Sequence, residues 1–239
     1  AGATANTLLA SAVRAQGARR GGTLTMGMQG GESTNSLDPA LAASQVPYHN
    51  LHQFGETLVE VKADGSIGYR LAESVESTPD AKTWMFKMRS GVEFHNGKTV
   101  TAEDAMRTME RHSNDDAQSG ALGIMRGIES MKVDGDVFSV TLSTPNADLP
   151  YLLADYHLQI QPDGGFDDPG AGIGAGAYML EANEPGARHL WKKNPNYWDD
   201  SRGHVDEVES ANAMTSVPAG FFGIEAGATS GIFENDFFL

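Results

Sequence analysis

The chain of 239 residues contains no cysteine, and this excludes disulfide bonds, zinc–thiolate sites and thiol nucleophiles. Cationic side chains are scarce as well, because 17 lysines and arginines stand against 32 aspartates and glutamates, for a formal charge of −15. Such an excess of negative charge argues against non-specific binding to nucleic acid and to anionic membranes. Long apolar runs are also missing, and no stretch reaches the roughly 20 residues that a membrane-spanning helix needs.

Motifs of the common enzyme classes are absent too. The sequence has no nucleophile elbow, phosphate-binding loop, dinucleotide fingerprint or metalloprotease helix. His49 and His52 have the spacing of a metal pair on a helix, but two histidines without a third ligand indicate ordinary packing. The acidic pairs, which are typical of solvated loops rather than of acid–base catalysis, are Asp115-Asp116, Asp167-Asp168 and Asp199-Asp200. We therefore expect no catalytic site, no cofactor and no metal.

The composition that is present fits a soluble globular protein, with 40% hydrophobic and 21% charged residues and enough length for one large or two small domains. Residues 1–18 are small and largely apolar, which predicts the back half of a secretory signal peptide, with an ordinary N-terminal helix as the alternative. Hydrophobic periodicity disappears from residue 210 onwards. We therefore predict one folded lobe at residues 19–209 and an atypical tail at residues 210–239.

The clearest local signal lies in residues 71–104. Trp84, Phe86 and Met88 alternate with other residues and predict one face of a strand. Thr101, followed three residues later by Asp104, predicts a capping box at the start of a helix. The other predicted elements are a strand at 24–28, a helix at 48–54, a strand at 56–61, a hairpin at 131–142 turning at Asp134-Gly135, a short helix at 145–154 capped by Asn146, and a hairpin that pairs 178–181 with 188–192.

Six short motifs occur in order along the predicted lobe. They are Gly-Gly-Thr-Leu at 21–24, Ser-Leu-Asp-Pro-Ala at 36–40, Gly-Glu-Thr-Leu-Val at 55–59, the segment from Leu-Ala-Glu-Ser at 71–74 to Thr-Ala-Glu-Asp at 101–104, Gly-Ile-Gly-Ala-Gly-Ala-Tyr at 172–178, and Lys-Asn-Pro-Asn-Tyr-Trp at 193–198. Each motif alone is weak. In this order and spacing, they resemble the extracytoplasmic solute-binding proteins of ABC importers, in the peptide- and nickel-binding family 5.

The resemblance implies an α/β fold, namely the N-terminal lobe of a type II periplasmic-binding-protein architecture. Such a lobe has a mixed sheet with flanking helices and hairpins, and the second lobe is expected to be largely absent from this chain. The resemblance further implies an exported, periplasmic monomer that captures a solute, most often peptide-like, and delivers it to the membrane permease of an ABC importer. Closure of two lobes around the solute is a hinge motion.

Two departures from the family pattern bear on this expectation. The usual Gly-Thr-Gly-Pro-Tyr reads Gly-Ala-Gly-Ala-Tyr at 174–178, which keeps both glycines and Tyr178. The expected continuation also fades after residue 208, so we expect a truncated or frameshifted product. In relatives, most of the groups that bind the two termini of a peptide lie beyond that point. A lone lobe should bind solute poorly, because the opposite wall of the cleft is missing.

The resemblance places the first lobe's solute contacts in residues 29–33, 45–49 and 155–157. The predicted ligand-binding residues are Gln29, Gln45, Tyr48, His49, Asp155, Tyr156 and His157. In this hypothesis the tyrosines supply flat apolar surfaces with hydroxyl tips, an aspartate meets a cation, and a histidine donates a hydrogen bond.

Two other functions stay open at this point. One is a secreted single lobe that binds a protein partner through the surface that would otherwise meet the second lobe. The other is a secreted hydrolase or metal-dependent enzyme that uses loop carboxylates and histidines, for which the sequence holds no motif.

Overall fold

The computed structural model describes residues 20–212 and 225–226 of the chain. The predicted signal-peptide remnant at residues 1–18 and most of the predicted tail lie outside this part. None of the described helices combines the length and the apolar character that crossing a bilayer requires.

The described elements alternate between strands, hairpins and short helices. Their bounds are β1 Thr23–Met28, α1 Gln45–Phe54, β2 Val59–Val61, β3 Ile67–Tyr69, β4 Ala72–Ser77, β5 Thr83–Met88, α2 Ala102–Ser113, α3 Leu122–Met125, β6 Ile128–Asp134, β7 Val137–Leu142, α4 Leu149–Leu153, β8 Tyr178–Glu184, β9 Arg188–Lys193, β10 Glu207–Asn212 and β11 Glu225–Ala226. Short 3-10 turns occupy Pro39–Leu41, Asp115–Ala117, Tyr156–Leu158 and Pro162–Gly165.

Within the described residues, the strands form three sheets. One is mixed, in the order β11-β1-β10-β9-β8, with β1 parallel to β10 and the other neighbours antiparallel. The second is antiparallel in the order β4-β5-β7-β6, and β2 and β3 form a small hairpin. The predicted α/β lobe with a mixed sheet, flanking helices and hairpins is confirmed.

The alternation of apolar residues in the strands builds two cores. Phe86 of β5 and Phe138 of β7 are direct cross-strand partners, and both are fully buried. They belong to the larger core, which α2 covers with Met109. The smaller core lies between α1 and the mixed sheet, where Phe54 stacks on Trp191 at a centroid distance of 5.6 Å. Helix α1 is therefore fixed at its C-terminal end by burial of an aromatic pair.

Local caps and hairpins agree with most of the sequence predictions. The capping box is present, since Asp104 donates its N–H to the Thr101 hydroxyl and the Asp104 carboxylate accepts the N–H of Thr101 at 2.9 Å. The predicted hairpins at 131–142 and 178–192 are β6–β7 and β8–β9. The predicted helix at 48–54 is α1, which begins three residues earlier.

Three predicted details are wrong. The β6–β7 turn is Gly135-Asp136 rather than Asp134-Gly135, because Gly135 takes a positive φ of 63° while Asp134 still pairs with Val137. Asn146 is not the cap of α4, since its side chain accepts the N–H of Asp148 at 2.9 Å and Asp148 is the cap residue. The strand predicted at 56–61 is regular only from residue 59, because the carbonyl of residue 56 accepts the N–H of residue 160.

The predicted lobe boundary at residue 209 falls inside a strand. β10 continues to Asn212 and pairs in parallel with β1, and Ser210 is buried within it. β11, which comes from the predicted tail, pairs antiparallel with β1 at Leu24 and Thr25. Part of the predicted tail therefore contributes to the mixed sheet.

Candidate functional site

The loop that follows β1 is held against the beginning of α1. Gly30 adopts a φ of 85°, a conformation that favours glycine. Its carbonyl accepts hydrogen bonds from Ser44 Oγ at 2.7 Å and from Asn35 Nδ2 at 3.0 Å. Ser44 is the cap residue of α1, so the loop carrying Gln29 lies beside the helix start that carries Gln45. Both glutamines are exposed.

Two tyrosines from distant parts of the chain meet one turn into α1. The rings of Tyr48 and Tyr156 form an edge-to-face pair with a centroid distance of 4.8 Å and an interplanar angle of 79°. Both are half-buried, and burial raises the pKa of each hydroxyl above its ordinary value, so both stay neutral. We call this pair the tyrosine wall. Gln45 lies three residues before Tyr48 on the same helix face.

Asp155 and His157 bond to each other directly beneath the tyrosine wall. Asp155 begins the 3-10 turn Tyr156–Leu158, and its Oδ1 accepts the backbone N–H of His157 at 2.9 Å. The same oxygen lies 2.6 Å from His157 Nδ1, and His157 Nε2 lies 2.9 Å from the carbonyl oxygen of Ala42. The ring of His157 also lies 4.0 Å from that of Tyr156. A solute could reach either ring nitrogen of His157 only by displacing a bond within the chain.

His49 points to a different neighbourhood. Its Nε2 lies 3.1 Å from the side-chain amide nitrogen of Gln53. Burial, followed by the charges of His52 and His189, lowers the pKa of His49 to about 4. The His49 ring therefore bonds within α1 and is affected by the charge of His189 on β9 of the mixed sheet. Across residues 20–212 and 225–226, no group of three or more histidine or acidic side chains could hold a metal ion.

A second polar cluster surrounds Arg70, and it includes Asp199, for which the prediction of a solvated loop is wrong. Its guanidinium is 4% exposed and donates to Glu56 through two nitrogens, at 2.6 and 2.9 Å. It also donates to Asp199 Oδ2 at 2.9 Å and to the Tyr197 hydroxyl at 2.6 Å. The Tyr197 hydroxyl in turn donates to Glu56. We call Glu56, Arg70, Tyr197 and Asp199 the Arg70 network.

The motif residue Trp198 extends this network. The guanidinium carbons of Arg70 and Arg89 lie 4.7 and 4.5 Å from the centroid of its rings, as cation–π contacts. Burial, together with the charge of Glu56, raises the pKa of Tyr197 above its ordinary value, which keeps its hydroxyl a donor. The motifs at 55–59 and 193–198 could have revealed the network, because they hold Glu56, Tyr197 and Trp198. These motifs build the lobe rather than the cleft.

The glycine-rich turn at 172–176 packs against the end of α1. A Cβ on Gly174 would collide with the carbonyl oxygen of Phe54, and one on Gly176 would come within 2.6 Å of the carbonyl oxygen of Gln53. Neither glycine can therefore carry a side chain. His95 closes the turn, since its N–H donates to the carbonyl of Gly174 and its Nε2 lies 2.9 Å from the carbonyl oxygen of Gly176. The departure at residues 175 and 177 thus leaves the turn intact.

The Leu-Asp-Pro-Ala motif supports the tyrosine wall from behind. Asp38 caps the 3-10 turn Pro39–Leu41 by accepting the N–H of Ala40, and it pairs with Arg111 of α2 at 2.5 Å. His112, the next residue of α2, bonds through Nδ1 to Ser119 Oγ at 2.6 Å. Ala42 directly follows the turn Pro39–Leu41, and its carbonyl oxygen accepts the bond from His157 Nε2.

The chain resembles a known family of binding proteins over most of its described length. The family model described as Bacterial extracellular solute-binding proteins, family 5 Middle, matches residues 66–213. The uncharacterized protein YhjP of Bacillus subtilis (strain 168) is 29% identical over 180 residues, covering 74% of this chain and 30% of YhjP. The periplasmic oligopeptide-binding protein OppA of Escherichia coli (strain K12) is 25% identical over 216 residues, covering 77% of this chain and 38% of OppA.

A solved structure gives the same result at the level of the fold. The PBP AgaA from A. tumefaciens R10, in complex with agropinic acid, is similar with a TM-score of 0.74 and 29% identity, covering 80% of this chain and 40% of AgaA. The chain thus spans about a third of the length of the curated relatives and two fifths of AgaA.

Proposed function

This chain belongs to the bacterial extracellular solute-binding proteins of family 5, and from that premise we propose that it supplies the first-lobe wall of a cleft that captures a peptide-like solute. In this proposal, the protein is an exported monomer that works in the periplasm, delivers its solute to the permease of an ABC importer and catalyses no reaction. The family membership supports the transport role.

One observation connects the proposed function to specific residues. The three segments expected to contact a solute extend from residue 29 to residue 157, a separation of 128, yet they lie together in the fold. The bond from Ser44 to Gly30 joins the first segment to the second, and the tyrosine wall joins the second to the third. Tyr156 packs against the smaller core, but core packing alone does not explain why its half-buried ring meets that of Tyr48 beside exposed glutamines. A cleft wall does explain it, because solute sites combine flat apolar surface with a few polar groups.

The chemistry of the wall suits a peptide-like solute. Aromatic rings offer a flat apolar surface that accepts varied side chains. The amides of Gln29 and Gln45 offer a donor and an acceptor each, which match the repeating groups of a peptide backbone. The negative charge of Asp155 is already matched within the chain by the bonds from His157. We therefore assign solute contact to Gln29, Gln45 and the tyrosine wall, and we assign support to Asp155 and His157.

The solute class is tested by titration calorimetry. The protein, in the form that its host exports, is titrated with di- to pentapeptide mixtures and, separately, with agropinic acid. We expect heat of binding from the peptides. Heat from agropinic acid alone would assign the opine class instead, and no binding from either would contradict the proposed function. Size-exclusion chromatography with light scattering on the same sample tests the monomer.

The site is tested by substitution with a matched control. Tyr156→Ala should weaken peptide binding by about tenfold, which corresponds to roughly 1.4 kcal/mol. Tyr69→Ala removes an exposed tyrosine of β3, 49% accessible, outside the three segments, and should leave affinity unchanged. Equal losses from the two substitutions would place the solute elsewhere.

A further inference from the structure

The ring of His157 is bonded at both nitrogens to groups that accept hydrogen bonds. Nε2 lies 2.9 Å from the carbonyl oxygen of Ala42, and a carbonyl has no proton to give, so Nε2 must donate. Nδ1 lies 2.6 Å from Oδ1 of Asp155, a carboxylate oxygen. A neutral imidazole carries one N–H and can satisfy only one of these contacts. The geometry therefore calls for a second proton in this bond system.

The second proton belongs on the histidine rather than on Asp155. Burial alone would raise the pKa of Asp155, but the bonds from the ring and backbone N–H of His157 lower it below its ordinary value. The Oδ1 atom already accepts the backbone N–H of His157 at 2.9 Å. A carboxylate in this position is an acceptor only, so Nδ1 donates as well.

We propose that His157 is a positioning residue held as an imidazolium, whose two N–H groups join Asp155 to the carbonyl of Ala42 and so fix Tyr156 in the tyrosine wall. The Nε2 bond connects the 3-10 turn Tyr156–Leu158 to Ala42, which follows the turn Pro39–Leu41 and lies 115 residues earlier in the chain. The Nδ1 bond joins the ring to Asp155, the cap residue of its own turn. The Tyr156 ring lies on the His157 ring at 4.0 Å, so the orientation of one ring sets that of the other. The proposal rests on the proposed function only in treating this wall as a solute contact.

The charges around His157 are compatible with one positive ring. On α2, Arg111 is paired with Asp38, so its charge is matched at 2.5 Å. His112, also on α2, has its pKa lowered to about 4 by burial and then by Arg111, and it is therefore neutral at pH 7. On α1, the Tyr48 hydroxyl stays neutral because burial raises its pKa. The carboxylate of Asp155 thus faces His157 as its counter-charge.

The packing around the ring is shaped for this position. A Cβ built on Gly120 would collide with Nε2 of His157, although the φ of Gly120 is one that any residue adopts. The N–H of Gly120 donates to the carbonyl of Ala40 at 3.0 Å, which holds this backbone against the turn that carries Ala42. The space occupied by the imidazole is therefore created by the absence of a side chain at residue 120.

The protonation state is tested by long-range proton–nitrogen NMR on the full chain labelled with ¹⁵N-histidine. At pH 7, we expect both nitrogens of His157 to carry protons, while His112 in the same spectrum shows one bare nitrogen. His112 is the internal reference, because its partner Ser119 Oγ is a hydroxyl that can donate or accept. The signals of His157 are assigned by their loss in His157→Gln. A bare nitrogen on His157 at pH 7 would overturn the proposal.

Asp155→Asn separates charge from shape. Asparagine keeps the cap and an acceptor oxygen but removes the counter-charge. We expect His157 to lose one of its two protons at pH 7 in this variant, whereas persistence of both protons would contradict the role given to Asp155. If His157→Gln does not fold, this comparison still decides the question, because it keeps the histidine.

The link to the tyrosine wall is tested in Asp155→Asn. Where this variant removes the second proton of His157, the nuclear Overhauser effect between the Tyr48 and Tyr156 rings should be weaker than in the unsubstituted chain. An effect of unchanged strength would reject the positioning role. None of these measurements uses a solute, so a failure of the proposed function leaves them unchanged.

Discussion

The Arg70 network and the tyrosine wall both join distant segments of the chain, but their side chains differ in how far they are exposed to solvent. In the network, every charged partner of Arg70 is another group of the chain, and the guanidinium is 4% exposed. In the wall, Tyr48 and Tyr156 are half-buried and stand beside exposed glutamines. Charged groups that are paired within the chain stabilise the fold and leave no polar atom for a solute. Half-buried rings contribute less to the fold and keep surface that is accessible to a solute.

The comparison explains why family motifs and solute contacts separate in this chain. The motifs at 55–59 and 193–198 carry Glu56, Tyr197 and Trp198, which surround Arg70. The proposed contacts at Tyr48 and Tyr156 lie outside the six motifs. A lobe that many solute-binding proteins share must keep its internal bonds, while its cleft surface is free to differ. Under the proposed function, stability and recognition therefore reside in different residues.

The largest effect should follow from opening the Arg70 network. Arg70→Met leaves the buried Glu56 without its cation and leaves Asp199 only Arg202, at 3.6 Å, and we expect a loss of about 3–5 kcal/mol in the free energy of unfolding. Urea denaturation at pH 7 measures it. Arg188→Met is the matched control, because its pair with Glu184 is solvent-exposed and should add little. Similar losses from the two variants would mean that the network is not a stabilising centre.

Acid should weaken the support of the tyrosine wall through His112. The folded ring has a pKa of about 4, whereas an unfolded histidine titrates near pH 6.5. Between these values, the unfolded chain binds the extra proton, so the free energy of unfolding falls as the pH decreases from about 6.5 to about 4. The expected contribution of His112 is roughly 3 kcal/mol.

The measurement is the urea midpoint as a function of pH. His112→Gln should flatten this acid slope, because it removes the titrating ring. Ser119→Ala keeps the ring and loses only its hydroxyl partner, so the slope should remain, since burial is the main cause of the shift. If both variants keep the full slope, His112 is not its source.

A smaller effect is expected at the turn that links the two regions. Gly174→Ala would push a methyl group into the carbonyl oxygen of Phe54, and we expect about 1–3 kcal/mol of destabilisation. Gly123→Ala, in α3 with open space around its Cβ position, should be neutral or stabilise by up to about 1 kcal/mol. Thermal unfolding of the two variants gives the difference. Equal behaviour would show that the turn can move away from α1.

Sequence reasoning succeeded where the determining contacts are local. The alternation around Phe86 and the capping box of Thr101 with Asp104 involve neighbours within a few residues, and both were predictable. The role of Arg70 was not, because two of its partners lie 14 and 129 residues away. The bond between His157 and the carbonyl of Ala42 was not predictable either, since the two residues lie 115 apart in the chain. The solute contacts predicted from the sequence all stay predictions, namely those of Gln29, Gln45, Tyr48, His49, Asp155, Tyr156 and His157.

The smallest expected effect provides the sharpest test of the comparison, because it uses two glutamines on one helix. Gln45 opens α1 and is exposed, whereas Gln53 lies two turns later, is buried and contacts His49 at 3.1 Å. Gln45→Ala should change the free energy of unfolding by less than about 0.5 kcal/mol. Gln53→Ala should destabilise by about 1 kcal/mol, because it removes a buried hydrogen bond. The substitution is chemically identical at both sites, so the gain in helix propensity cancels. If Gln45→Ala destabilises as much as Gln53→Ala, then Gln45 belongs to the scaffold, and the boundary between scaffold and cleft wall must be moved toward the tyrosines.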